Sequence, residues 1–160
     1  MEASKPENII NKLSSSLNEI MDALEGVDLE IRASPDGDWR IREILLHLAT
    51  WDQQVTKSIR AFSEGSEYAI SDLTLNSFNQ EEIDKLSSLS NEQVIEYWEQ
   101  ARQDFKDAVQ AVPSEIFSEE MLYPWGDERG TVSLIVKYMC AHDDEHKENI
   151  VKAAKESTSN

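Results

Sequence analysis

Trp39-Arg40-Ile41-Arg42-Glu43-Ile44-Leu45-Leu46-His47-Leu48-Ala49-Thr50-Trp51 is the stretch on which the fold turns. Ile41, Ile44, Leu45 and Leu48 recur at helical spacing, and Val55, Ile59 and Phe62 extend the row. That is the period of a helix with one buried face. The spacing predicts a helix from near Trp39 to near Gly65, with Asp38 as N-cap after the loop Ser34-Pro35-Asp36-Gly37.

The same period returns three times. Upstream, Ile9, Ile10, Leu13, Leu17, Ile20 and Leu24 mark a first helix from Pro6 to Glu25, with Ser4 and Glu7 as a capping box and Gly26 as the stop. Downstream, Ser90-Asn91-Glu92-Gln93 is a capping box opening a third helix. Val94, Tyr97, Trp98, Ala101, Phe105, Ala108 and Val112 form its stripe, and Pro113 closes it. Thr131 caps a fourth helix reaching about Lys155, and Glu156 to Asn160 reads as a frayed tail. Residues 65–89 are polar, with room for a short helix from Phe78 to Leu86, and residues 114–129 read as irregular.

Four stripes bury one another in a four-helix bundle, an all-α fold. A chain of 160 residues forms one domain, here residues 1–155. It can build a core without disulfides or a structural metal, so a metal here would be functional. The long 65–89 connection can return along the bundle and leave the second and third helices parallel.

A net charge of -17 with a pI near 4.4 repels phosphate backbones and anionic bilayers. Nucleic acid and membrane are therefore excluded as partners. The N-terminus carries no apolar signal region, and Cys140 is the single cysteine, so a cytoplasmic protein is expected. On a helix, Cys140 turns about 160° from the direction of His142, which makes it a packing residue.

There are three histidines, His47, His142 and His146. In His142-Asp143-Asp144-Glu145-His146 the two imidazoles lie one turn apart on one helix face. Such a pair can bridge a transition metal, although two solvated histidines are the commoner case. The wheel puts His47 about 100° from its stripe, His142 roughly 70° and His146 roughly 30° from theirs. Histidines at stripe flanks meet in the groove between helices, where a metal stays open to solvent. Asp143 falls on the apolar side of the fourth helix. There it can accept a ligand imidazole N–H, or pair with a loop. Glu145, about 60° from His142, and Glu43 are the carboxylates nearest the histidines, candidates for a general base.

The segment Trp39–Trp51, followed by Thr131-Val132-Ser133-Leu134-Ile135 and His142-Asp143-Asp144-Glu145-His146, resembles the DinB/YfiT-like superfamily. The resemblance spans nearly the whole chain. It implies a bundle in up-down-down-up order with a long crossover between helices two and three. It also implies a divalent metal, zinc or nickel, on His47, His142 and His146, and a homodimer. Arg40 stands where the family has Ser or Thr, a departure that touches the helix cap. Relatives include bacillithiol- and mycothiol-dependent S-transferases and isomerases.

A thiol-dependent S-transferase of detoxification or stress response, using a low-molecular-weight thiol, is therefore the first expectation. It requires a cationic or amide-rich pocket, for which Arg40, Arg42, Gln54 and Arg129 are candidates. A metal-dependent hydrolase with Glu145 or Glu43 as base is the second, and a non-catalytic metal- or ligand-binding protein the third. The literal His-x-x-Glu-His of inverted zinc proteases is set aside, because only the residues after His146 remain to supply a downstream ligand. A di-iron bundle needs Glu-x-x-His on two helices, and only Asp143-x-x-His146 comes near it. Trp39, Trp51 and Trp125 can line a small-molecule pocket or sit in the core.

Overall fold

The computed structural model describes residues 5–33, 39–71 and 75–158. Its elements are α1 (Pro6–Ala23), α2 (Ile41–Ser63), α3 (Leu75–Lys85), α4 (Asn91–Gln110), β1 (Met121–Leu122), β2 (Arg129–Gly130) and α5 (Val132–Thr158). Helices α1, α2, α4 and α5 are the four read from the stripes, and α3 is the short helix of the crossover. Two ends differ from the expectation. Helix α5 continues through Glu156 and Ser157 to Thr158, and residues 114–129 contain the antiparallel pair Met121–Gly130 and Leu122–Arg129. Strands of two residues are too short for alternation to show in sequence.

Helix ends follow local chemistry. Ser90 Oγ accepts from the backbone N–H of Gln93, and the Gln93 side chain accepts from the N–H of Ser90, the capping box expected there. Thr131 Oγ1 accepts from the N–H of Leu134 and starts α5. Helix α2 opens one residue past Arg40. Glu43 accepts from the Arg40 backbone N–H and from its guanidinium, so a carboxylate caps the helix where the N-cap side chain cannot. The expected caps Ser4 and Asp38 lie outside the described residues. Gly65, at φ +83°, takes the left-handed turn that ends α2.

Side-chain pairs fix the helix directions. Ser16–Asp143 and Glu19–Lys147 ascend together, so α1 and α5 are parallel. Arg42–Asn91 and Asp52–Arg102 ascend together, so α2 and α4 are parallel. One core cluster joins Trp51, Val55 and Ile59 to Val132, Val136 and Met139, and a second joins Ile41, Ile44 and Leu45 to Ile150 and Ala153. As α2 rises α5 falls, so those two are antiparallel. The order is up-down-down-up, with α3 in the long crossover packed against α2.

The clusters form the two ends of the core. Between them Arg102, Asp52, Asp143 and Ser16 are buried together, one residue from each helix of the bundle. No helix among the described residues is long and apolar enough to cross a membrane.

Candidate metal centre

His47 comes from the second turn of α2, and His142 and His146 come from successive turns of α5. Antiparallel packing of the two helices brings the three rings together. His142 Nε2 lies 3.0 Å from His47 Nε2 and 3.2 Å from His146 Nε2. One nitrogen from each ring falls within 4.8 Å of the others. Ligand atoms at metal–nitrogen bonds of about 2.0–2.1 Å are separated by about 3.3 Å in a tetrahedron and about 2.9 Å as octahedral neighbours. The two spacings to His142 match that range, and the third nitrogen pair lies within 4.8 Å, so the donor set fits one transition-metal ion.

The electrostatics agree. Burial, helped by the two neighbouring imidazoles, pushes His47 down to about 2. Burial, with His142 second, pushes His146 down to about 4, and burial lowers His142 as well. Neutral imidazoles are the ligand form, so no proton has to be displaced at neutral pH. The Trp39 ring stands 5.1 Å from that of His47, tilted by 46°.

The residues expected to support the histidines are engaged elsewhere. Asp143 is fully buried, but its carboxylate accepts from Arg102 at 2.9 and 3.1 Å and from Ser16 Oγ at 2.7 Å, not from an imidazole. A carboxylate in the core takes the strongest donor in reach, and a guanidinium outcompetes an imidazole N–H. Nor did the alternative, pairing with a loop, occur. Glu43 caps α2 and pairs with Arg40 and Arg42. Glu145 is exposed; it lies near enough to His146 to raise it slightly against the effect of burial, but it does not line the cavity described below. The Nδ1 atoms of His47 and His146 are buried with no protein hydrogen-bond partner, while Asn79 approaches the His47 ring closely enough to favour its charged form slightly against burial.

A cavity of about 680 Å³ opens beside His47 and His142. Trp51, Trp125, Tyr138 and Met139 form its walls, and Asn79 and Asp127 supply its polar groups. Trp51 Nε1 donates to Asn79 Oδ1 at 2.8 Å, which ties α2 to α3 at the cavity edge. None of the four residues considered for an anionic cofactor lines this space. Arg40 pairs with Glu30 and Glu43, and Arg129 with Glu67. Arg42 donates to Asn91 and the Leu89 carbonyl, and Gln54 accepts from Tyr68. Cys140 lines a different groove, with Lys12 and Asp144, and burial raises its thiol to about 11, as suits a packing residue.

Sequence reading missed Arg102, Asp52, Asn79 and Asp127. The first two carried a signal. Arg102 follows Trp98 by one turn and Asp52 follows Leu48 by one turn, so both occupy core-facing positions.

The comparisons agree with this geometry. A family model, the DinB superfamily, matches residues 12–150. No curated protein sequence matches the chain. Among solved structures, the sibling lethal factor precursor DfsB superposes with a TM-score of 0.79 at 14% identity, with 98% of each chain covered. YfiT from Bacillus subtilis, described as a probable metal-dependent hydrolase with an unusual four-helix bundle topology, gives 0.74 at 15% identity over 99% of this chain and 92% of YfiT. A mycothiol-dependent maleylpyruvate isomerase gives 0.73 at 14% identity over 92% of this chain, which spans 61% of the isomerase. Identities this low establish a shared fold.

Proposed function

The chain belongs to the DinB superfamily, and from that premise we propose that it is a metal-dependent hydrolase of small, non-anionic molecules. One observation carries the reading. Three imidazole nitrogens converge, and two of the rings, His47 and His142, line a cavity that has no lysine or arginine among its described lining residues.

His47, His142 and His146 would hold one divalent ion, and three ligands leave at least one position open. An all-imidazole set suits zinc or nickel. The ion supplies Lewis acidity, which polarises a carbonyl or phosphoryl oxygen and lowers the pKa of a water ligand. The chain's own contribution is placement. Trp51 and Met139 exclude bulk water from the inner end, and Asn79, held by the Trp51 indole, offers an amide to orient a polar group.

The thiol-dependent transferase expected from the sequence needs a seat for a carboxylate-bearing cofactor. Among the described residues lining this cavity the charged side chain is Asp127, which repels such a cofactor. That difference favours hydrolysis, in line with the description of YfiT as a probable metal-dependent hydrolase.

Zinc- or nickel-loaded protein assayed against uncharged esters and amides, with and without an added thiol, tests the proposal. Turnover that needs the metal and ignores the thiol is expected. Turnover only with thiol would restore the transferase reading, and no turnover with either would leave a binding protein.

A further inference from the structure

We infer that the outer half of the cavity is a recognition site for an organic ammonium group, so that the substrate carries a cationic amine at one end and the reacting group at the other. The inference rests on the proposed metal centre for the reacting end alone.

The cavity has a polarity along its length. His47 is buried at the inner end, whereas Asp127 and Tyr138 are exposed at the outer. Tyr138, 39% exposed, is the large hydrophobic side chain left open among the described residues. Trp125 stands across from Trp51, their ring centroids 6.4 Å apart.

Glu128 organises this outer end. Its carboxylate accepts from Trp125 Nε1 at 2.9 Å and from the Tyr138 hydroxyl at 3.0 Å. Both rings thus have their polar edges committed to one anion and offer the cavity their carbon surfaces. Tyr123 packs edge-on to both rings and fixes them further. Indole and phenol faces attract cations, and carboxylates beside them strengthen that attraction. Asp127 adds a negative charge on the cavity wall itself. A net charge of -17 draws cations toward the surface as a whole. A divalent ion at the histidines repels an ammonium group, so the two ends of a bound molecule are sorted by charge.

Tryptophan fluorescence reads binding directly, since Trp51 and Trp125 line the site. Metal-free protein is titrated with 2-phenylethylammonium, 2-phenylethanol and phenylacetate. The ammonium compound should bind at least about tenfold more tightly than the alcohol, and the carboxylate should not saturate. Asp127→Asn should cut the preference at least about threefold, and Tyr138→Leu should weaken ammonium binding while Tyr138→Phe retains most of it. Equal affinity for ammonium and alcohol, or a preference for the carboxylate, overturns the inference. The same titration with zinc-loaded protein separates the two readings. Ammonium preference in a protein that binds no zinc sinks the hydrolase and leaves this site standing. Zinc-dependent turnover without ammonium preference does the reverse.

Discussion

Arg102 reaches across the centre of the bundle and grips Asp143, the neighbour of His142, through two bonds of 2.9 and 3.1 Å. The same guanidinium donates to Asp52 at 2.8 and 3.1 Å, and all three side chains are essentially inaccessible. The contact ties α2, α4 and α5 at the level of the histidines. Ser16 and the Leu13 carbonyl bring in α1. The register that sets His142 and His146 against His47 is thus pinned from the adjacent, core-facing side of α5.

Removing Arg102 strands two carboxylates in the core. Arg102→Met should lower the unfolding free energy by about 3–5 kcal/mol, read from urea denaturation. Replacing Asp52 and Asp143 by leucine in that background should recover most of the loss, because the cost lies in unpaired buried charge. A mild single variant would mean that water reaches the layer.

Acid should destabilise the metal-free protein. His47 is held down at about 2 and His146 at about 4. An unfolded histidine takes up its proton near pH 6.5, so below roughly that point the unfolded chain binds protons that the fold refuses. Stability is fully present above this range and falls with pH at roughly 2–3 kcal/mol per unit from these two groups. For His146 the loss levels off near pH 4. Asp52 opposes it, since burial raises its carboxyl and the fold protonates that group before the unfolded chain does. Urea midpoints between pH 7 and pH 5 read the net slope, and His47→Ala should flatten it. No change in midpoint over that interval would contradict the account.

Gly130 sits where no side chain fits. A Cβ there would lie 2.3 Å from the Tyr123 hydroxyl oxygen and 2.9 Å from its ring. That hydroxyl donates to the Thr131 carbonyl at 2.7 Å, and the ring packs against Trp125. Gly130→Ala should therefore push Tyr123 into the aromatic wall, costing about 1–3 kcal/mol and changing the fluorescence of Trp125. Thermal melting and emission spectra check the two effects together.

Much of this was legible in sequence. The helices followed from apolar periodicity, and the capping box at Ser90 and the cap at Thr131 formed where their side chains suggested. The three histidines meet as their wheel positions and the family resemblance implied. The supporting residues were harder to read. Asp143 stands on an apolar face in the sequence, and its partner is a cation on the apolar face of another helix. Arg102, three residues before Phe105 and within its stripe, was that cation. The cavity was not legible. Asn79 comes from the crossover and Trp125 and Asp127 from the turn between β1 and β2, segments whose placement depends on long-range packing.

The metal content of the purified protein tests the central claim most directly. Elemental analysis should find about one divalent ion per chain. His142→Ala combined with His146→Ala should bring this to background with the helical circular dichroism unchanged. Full occupancy in the double variant would contradict the site.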